Sequence, residues 1–454
     1  MSICMMRSAL VLFSLSLSLL TGCGSSDDSG ATVAVSMKLS TNTQAIMTFL
    51  NKTSSLDAGS TGTNLLFNTN ARSGETAIAA ASASGLLSYK YFITSIQICQ
   101  SMTVNGTGFS AQSGCLTIYS GPTDSNFTQA TSPTMSDYLA QMNYAKTSDT
   151  GYIDLMSAES RAKLGSSVTV TKENAHYYSW GLINWAYPIK YKASLTDPTG
   201  ALKLYSHSGT PTEAVAGGYQ YPLSVSSTPL TTGPAEEAVV AMTNGGTWFK
   251  FQTPLTISED DVKNGVTYQL DLVFNPDGIV KGGTMGMGGN PQLAEAYPQA
   301  NGAHQIQIPF LDITPVAHKS TSRVVKETYV ASNPSNTTDK FDYRLELYYL
   351  SDDSTKSIYG VDAKVLMNSA SGSNTAMPST YRCSYIQNNA NGTIDFQGYD
   401  KTAMISGFTR QTTVGTGANA NIPCGMSVSS AFAPTGCTGN AVGRFDLISV
   451  STLE

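Results

Sequence analysis

The seven cysteines and four histidines are the residues with the widest chemical reach, and neither set is spaced for catalysis or metal binding. His176, His207, His304 and His318 lie far apart, with no HExxH and no pair one helical turn apart, so they read as surface or hydrogen-bonded core histidines. No CxxC occurs to frame a structural zinc, and no GxSxG raises a serine on a nucleophile elbow. Ser160-Arg161-Ala162-Lys163 matches the SxxK nucleophile pattern on a predicted helix, but no KTG partner accompanies it. Gly415–Ala420 (GTGANA) fits GxGxxA, yet no helix follows, and without a helix N-terminus no dipole holds a phosphate. Met285 and Met287 could offer soft thioether ligands, but their glycine-rich surroundings (GGTMGMGGN, 282–290) read as a loop. Glu259-Asp260-Asp261 and Asp352-Asp353 lack the spaced oxygen ligands of a calcium loop and read as a helix start and a solvated turn. Neither metal nor cofactor is expected.

Composition narrows the field further. Charged residues make up 13%, against ~25% in ordinary soluble proteins. Hydrophobic residues, at 41%, are enough for a true core. Forty glycines and 23 tyrosines against three tryptophans suit β-sheet with long turns better than a helical bundle. The net charge of −6 argues against nucleic acid or an anionic lipid surface as the main partner.

The beginning of the chain carries an address. Arg7 precedes Ala9–Leu20 (ALVLFSLSLSLL), an apolar run of signal-peptide length that falls short of the roughly 18 residues a membrane span needs. It ends in Leu20-Thr21-Gly22-Cys23, which resembles the lipobox of bacterial lipoproteins. That resemblance implies cleavage after residue 22 and attachment of diacylglycerol and fatty acid, such as palmitate, to the Cys23 thiol. With ~0.8 kcal/mol per buried CH₂, two or three chains anchor a protein to a membrane without a spanning helix. Gly24 stands where an aspartate would favour retention in the inner membrane, so the resemblance implies the outer membrane, with the domains periplasmic or surface-facing. Residues 23–31 then form a flexible tether.

Export leads to an oxidising compartment, where the remaining cysteines become disulfide candidates. Cys99 and Cys115 flank a Gly/Ser/Asn-rich loop, and joining them would contribute ~3 kcal/mol in the chain-entropy model. Cys383, Cys424 and Cys437 leave one thiol over. Cys424–Cys437 is the first choice among them, with Cys383 to either as the alternative.

The elements that would position these residues are mostly strands. Thr32–Leu39, Tyr91–Cys99, Tyr268–Phe274, Ile306–Phe310, Phe341–Tyr349 and Arg444–Val450 alternate or run apolar. In Phe341–Tyr349 the odd positions are apolar, and Asp342, Arg344 and Glu346 line the other face. Asn244-Gly245-Gly246 and Asn391-Gly392 read as hairpin turns. Helices are few: Ser136–Lys146 behind a Ser136 cap, Ala158–Leu164 capped by Ser157, and one turn after Ser258. The order Tyr91–Cys99, Tyr152–Met156, Tyr268–Val280, Ile306–Val316 resembles an immunoglobulin-like domain of bacterial surface lipoproteins, a family with no assigned chemistry. The expected fold is mainly β: two antiparallel β-sandwich, immunoglobulin-like domains with a few short helices. The first spans 32–318 with a long insertion at 174–265, and the second spans 319–454.

One stretch stands out as a binding surface. In Tyr177–Tyr191 (YYSWGLINWAYPIKY), Ile183, Trp185, Tyr187, Ile189 and Tyr191 form a core face, while Tyr178 and Trp180 start the opposite face. Either the following residues cover Tyr178 and Trp180, or the two form an exposed platform for a ligand such as a sugar ring. Pro188, lacking an N–H, suggests an edge strand or a bulge. Two functions fit these residues: a non-catalytic envelope module that binds or adheres to a glycan or protein, and an envelope hydrolase acting on glycans through a carboxylate pair.

Overall fold

The computed structural model describes residues 30–40, 86–105, 108–128, 133–196, 202–213, 223–230, 232–241, 245–276, 281–283, 305–307, 313–332, 339–369, 379–381, 385–397, 403–423 and 440–453. Cys23, Cys383, Cys424, Cys437, His304, Met285 and Met287 lie outside them. The described chain is mainly β, with mostly antiparallel sheets and three α-helices.

A four-stranded sheet in the order β14-β11-β1-β5 joins β1 (Ala31–Leu39), β5 (Ser166–Val170), β11 (Thr267–Phe274) and β14 (Ile313–Lys319). An eight-stranded sheet is built around β2 (Leu86–Asn105) and β6 (Tyr177–Thr196). Its other members are β3 (Gly108–Ser120), β4 (Ile153–Asp154), β7 (Leu202–Glu213), β8 (Leu223–Leu230), β9 (Ala238–Val240) and β10 (Gly245–Thr256). A small ladder pairs β12 (Lys281–Gly283) with β13 (Gln305–Gln307).

Alternation explains why the first two sheets share a core. Val33, Val35 and Met37 of β1 and Leu270, Leu272 and Phe274 of β11 point one way. They meet Tyr89, Tyr91, Ile93, Ile183 and Trp185 from the larger sheet, with the Tyr89 and Phe274 rings 6.0 Å apart. One pairing departs from the antiparallel expectation: β1 runs parallel to β11, with Val35 opposite Leu270. Parallel neighbours need a crossover, and the whole eight-stranded sheet intervenes between these two in sequence. The stretch 174–265 is not peripheral, since it supplies β6 to β10. β6 is central rather than an edge, and Pro188 sits where its register with β2 slips between Lys190 and Ala186.

The remaining strands make one nine-stranded sheet: β15 (Val324–Ser332), β16 (Asp339–Leu350), β17 (Gly360–Ser369), β18 (Ser379–Tyr381), β19 (Tyr385–Asn388), β20 (Ile394–Gln397), β21 (Ala403–Phe408), β22 (Gly417–Pro423) and β23 (Asn440–Thr452). The order is β18-β17-β16-β15-β23-β22-β21-β20-β19, so consecutive strands β18 and β19 occupy opposite ends. Four Cα steps join Tyr381 to Tyr385, which holds those ends within about 15 Å of one another. The sheet is therefore curled. Phe408 lies in its hollow, 5.0 Å from Tyr329, 5.4 Å from Phe396 and 5.8 Å from Phe445. Sheet membership changes between Lys319 and Val324, where the sequence pattern pauses.

Helix α1 (Met135–Thr147) begins earlier than expected. Thr134 is its cap, receiving the Asp137 N–H at 3.3 Å while the Asp137 carboxylate returns to the Thr134 N–H at 2.7 Å. Ser157 caps α2 (Ala158–Ala162), and Ser258 with Asp261 closes a capping box on α3 (Glu259–Lys263). Asn391-Gly392 does turn between β19 and β20, with Gly392 at φ +81°. Asn244 lies outside the described residues, and β9 and β10 on either side of it do not pair with each other as a hairpin. β9 and β10 instead lie end to end along β6, both antiparallel to it. Gly246 serves close approach there: a Cβ on it would sit 2.8 Å from Asn184 Oδ1 and 3.0 Å from the Ile183 carbonyl.

Candidate functional site

Cys99 and Cys115 face each other across β2 and β3, with Cα atoms 4.0 Å apart, and form a disulfide. Cys99 is buried and Cys115 exposed, so the bond staples a hairpin whose residues 111–115 face solvent.

The aromatic platform is not exposed. Tyr178 is 1% accessible and donates its hydroxyl to the Asn174 carbonyl at 2.8 Å; Trp180 is 9% accessible. Trp180 meets Trp248 of β10 at 5.7 Å within a cluster of Cys99, Met102, Val104 and Leu182. The Lys250 ammonium lies 5.6 Å from the Trp180 ring centre and 3.6 Å from that of Tyr385. Trp248 of the neighbouring strand β10 packs beside Trp180, so of the two alternatives for Tyr178 and Trp180 the structure has the packed core and not an exposed ligand platform.

The other motif residues serve structure. Ser160 Oγ accepts the Asp154 N–H at 2.8 Å, while Lys163 is exposed, so the SxxK serine anchors a turn. Asp353 accepts from Thr355 Oγ1 at 2.6 Å and from the Ser357 N–H at 2.9 Å, bonds that pull its carboxyl down to about 2. Among the described residues, no three of His, Cys, Asp and Glu are placed to hold a metal.

Chemically dense groups do converge where no motif pointed, in a seam between the four-stranded sheet and the nine-stranded one. The outward residues of β11 and β14 meet the face of β15 to β17 that turns away from the curled sheet's own core. Val273, Val316, Val324, Tyr348 and Leu350 form its apolar middle. Gly360 permits the contact, since a Cβ there would sit 2.8 Å from Thr314 Cγ2.

Charges flank that middle on both sides. At one end Lys326 and Glu346, 3% and 1% accessible, lie 3.9 Å apart and are bridged by Ser40. The Lys326 ammonium donates to Ser40 Oγ at 2.7 Å, and Ser40 Oγ donates to Glu346 Oε2 at 3.2 Å. Tyr348 donates its hydroxyl to the same carboxylate; burial first, then Glu346, pushes that phenol well above its ordinary pKa. Asp362, directly opposite Glu346 on β17, accepts from Asn275 Nδ2 at 3.1 Å. At the other end Asp271 of β11 contacts His318 of β14 at 3.1 Å and accepts from Ser36 Oγ at 2.6 Å.

A second ionic knot lies beside the sandwich core. Lys90 and Lys190 are cross-strand neighbours on β2 and β6, and Asp149 bridges them, with Glu237 2.7 Å from Lys90 and 3.7 Å from Lys190. Buried Lys190 also donates to the Ala145 and Ser148 carbonyls at 2.8 Å each, closing the C-terminal end of α1 with a positive charge.

No family model, no curated protein and no solved structure matches this chain. The seam was hidden in the sequence because Glu346 sits on the face of β16 that alternation marks as polar. Its signal was Tyr348 and Leu350, two large apolar residues continuing that face. Glu346 and Asp362 are a carboxylate pair, but both are sealed between sheets and so differ from the accessible pair that glycan hydrolysis needs.

Proposed function

We propose that this chain is an exported lipoprotein of the bacterial cell envelope, anchored through Cys23 to the outer membrane and acting there as a non-catalytic binding or adhesion module. The observation that carries this reading is the Arg7, Ala9–Leu20, Leu20-Thr21-Gly22-Cys23 sequence. The Cys99–Cys115 disulfide supports export, because such bonds persist in oxidising compartments. The non-catalytic part rests on how the reactive groups are engaged: His318 bonds through both ring nitrogens, Ser160 accepts a backbone N–H, and buried Lys190 donates to two carbonyls and a carboxylate. The ligand is a glycan or protein surface rather than nucleic acid, given the net charge of −6. Growth with labelled palmitate tests the anchor. Wild type is expected to incorporate label and fractionate with outer membranes, whereas Cys23→Ser remains an unlabelled precursor. Equal labelling of the two would overturn the reading.

A further inference from the structure

Sheet edges are where a β protein meets another chain, and this molecule treats its edges unequally. Strand β14, an edge of the four-stranded sheet, is buried in the seam from Ile313 to His318. The eight-stranded sheet begins with β3, which among the described residues pairs with β2 alone. Towards the C-terminal end of β3, strand β5 stands beside it, and Ser166 Oγ donates to the Ile118 carbonyl at 2.8 Å. The middle of β3 is bare. Ala111, Gln112, Ser113, Gly114 and Cys115 are all exposed, so both faces of the strand meet water there.

The backbone of that stretch is turned outward. Cys99 and Cys115 face each other with Cα atoms 4.0 Å apart, the close spacing of an antiparallel pair whose N–H and C=O groups do not bond each other. Ser101–Ser113 and Thr103–Ala111 follow at two-residue steps in the same register and share that orientation. The N–H and C=O groups of Ala111, Ser113 and Cys115 therefore point away from β2, where an added strand would bond them. The Cys99–Cys115 bond holds the hairpin together, so little order has to be imposed when that strand arrives. Nothing that deters pairing is present: residues 91–123 contain no charged side chain, and β3 contains no proline.

The residues also select the strand that fits. With a net charge of −6, two copies of this chain repel except where neither bears charge, and this hairpin is such a place. Antiparallel pairing about a two-fold axis at Ser113 sets Ser113 opposite Ser113 and Ala111 opposite Cys115. Gln112 then lies opposite Gly114, which has no side chain to crowd it. We propose that the edge of β3 from Ala111 to Cys115 is a self-association surface, on which the same edge of a second copy adds an antiparallel strand and joins the two eight-stranded sheets. The pairing depends neither on the lipid anchor nor on the ligand proposed above.

Analytical ultracentrifugation of the full chain carrying Cys23→Ser, so that no acyl chain contributes, tests this. That parent is expected to sediment as a monomer–dimer equilibrium at concentrations up to about 100 μM. Ser113→Ala keeps the backbone and adds no charge, and is expected to dimerise as the parent does. Ser113→Lys and Ser113→Glu each set like charges face to face on the axis, which is expected to weaken the dimer about tenfold or more. An equal mixture of the two is expected to recover it, because the charges then attract, and that recovery also shows that both variants are folded. A parent that stays monomeric leaves the edge to a strand of another protein and overturns the pairing. So does a dimer that Ser113→Lys leaves unchanged, or a mixture that fails to associate.

Discussion

Strand β11 belongs to two interfaces of opposite character. Leu270, Leu272 and Phe274 enter a sandwich core of aliphatic and aromatic side chains, while Asp271 and Val273 between them face a seam with ionised groups at its ends. The core gains from every apolar surface it removes from water and is indifferent to which partner supplies it. The seam is different. A buried ion pair recovers the cost of desolvation only when its geometry is right, so it specifies one alignment of the two sheets more than it adds stability. The two faces of one strand thus divide the work: one makes the fold, and the other sets how the curled half docks onto it.

The contrast is most exposed at Lys326. Replacing Lys326 with Ala removes a cation 3.9 Å from the buried Glu346 carboxylate, which is expected to cost about 3–5 kcal/mol in chemical denaturation. Lys326→Met combined with Glu346→Leu is expected to be more stable than Lys326→Ala, because no buried charge is stranded. If the combined variant is worse than the single one, the seam is not specified by its charges and the contrast collapses.

Purely apolar burial should behave in the opposite way. Trp180→Ala opens a cavity against Trp248 and Met102 and is expected to lose about 3 kcal/mol, the low end for a buried tryptophan because one edge reaches solvent. That loss should not vary with pH. An undiminished melting temperature would return Trp180 to the role of an exposed platform. The smallest change sets the scale for a residue in neither interface: Thr134→Ala removes the α1 cap and should cost about 1 kcal/mol by the same denaturation assay.

Much of the architecture was legible in the sequence. The alternating runs at Thr32–Leu39, Tyr268–Phe274 and Arg444–Val450 all lie within strands, and Asn391-Gly392 turns where its composition says. Cys99 and Cys115 pair because one hairpin brings them face to face. The misreadings share a physical cause, which is that local pattern reports faces and turns but not which surfaces meet. Alternation put Glu346 on a polar face, and only the second sheet buries it. Asn244-Gly245-Gly246 has turn composition, yet Gly246 is needed where the backbone passes close to Ile183 and Asn184. Tyr178 and Trp180 read first as a covered pair and second as a ligand platform, and the burial of both decides for the core.

The placement of β23 has a kinetic consequence. That strand, formed by residues 440–452, lies between β15 and β22, so the latest strand in sequence fills the middle of the nine-stranded sheet. Without it β15 to β17 and β19 to β22 are separate ladders, and the hollow around Phe408 lacks Phe445. Pairing Val330 with Asp446 closes a loop of more than a hundred residues, the kind of non-local step that makes folding slow. A chain emerging N-terminus first would hold its curled half incomplete, with two unpaired strand edges, until that segment arrives.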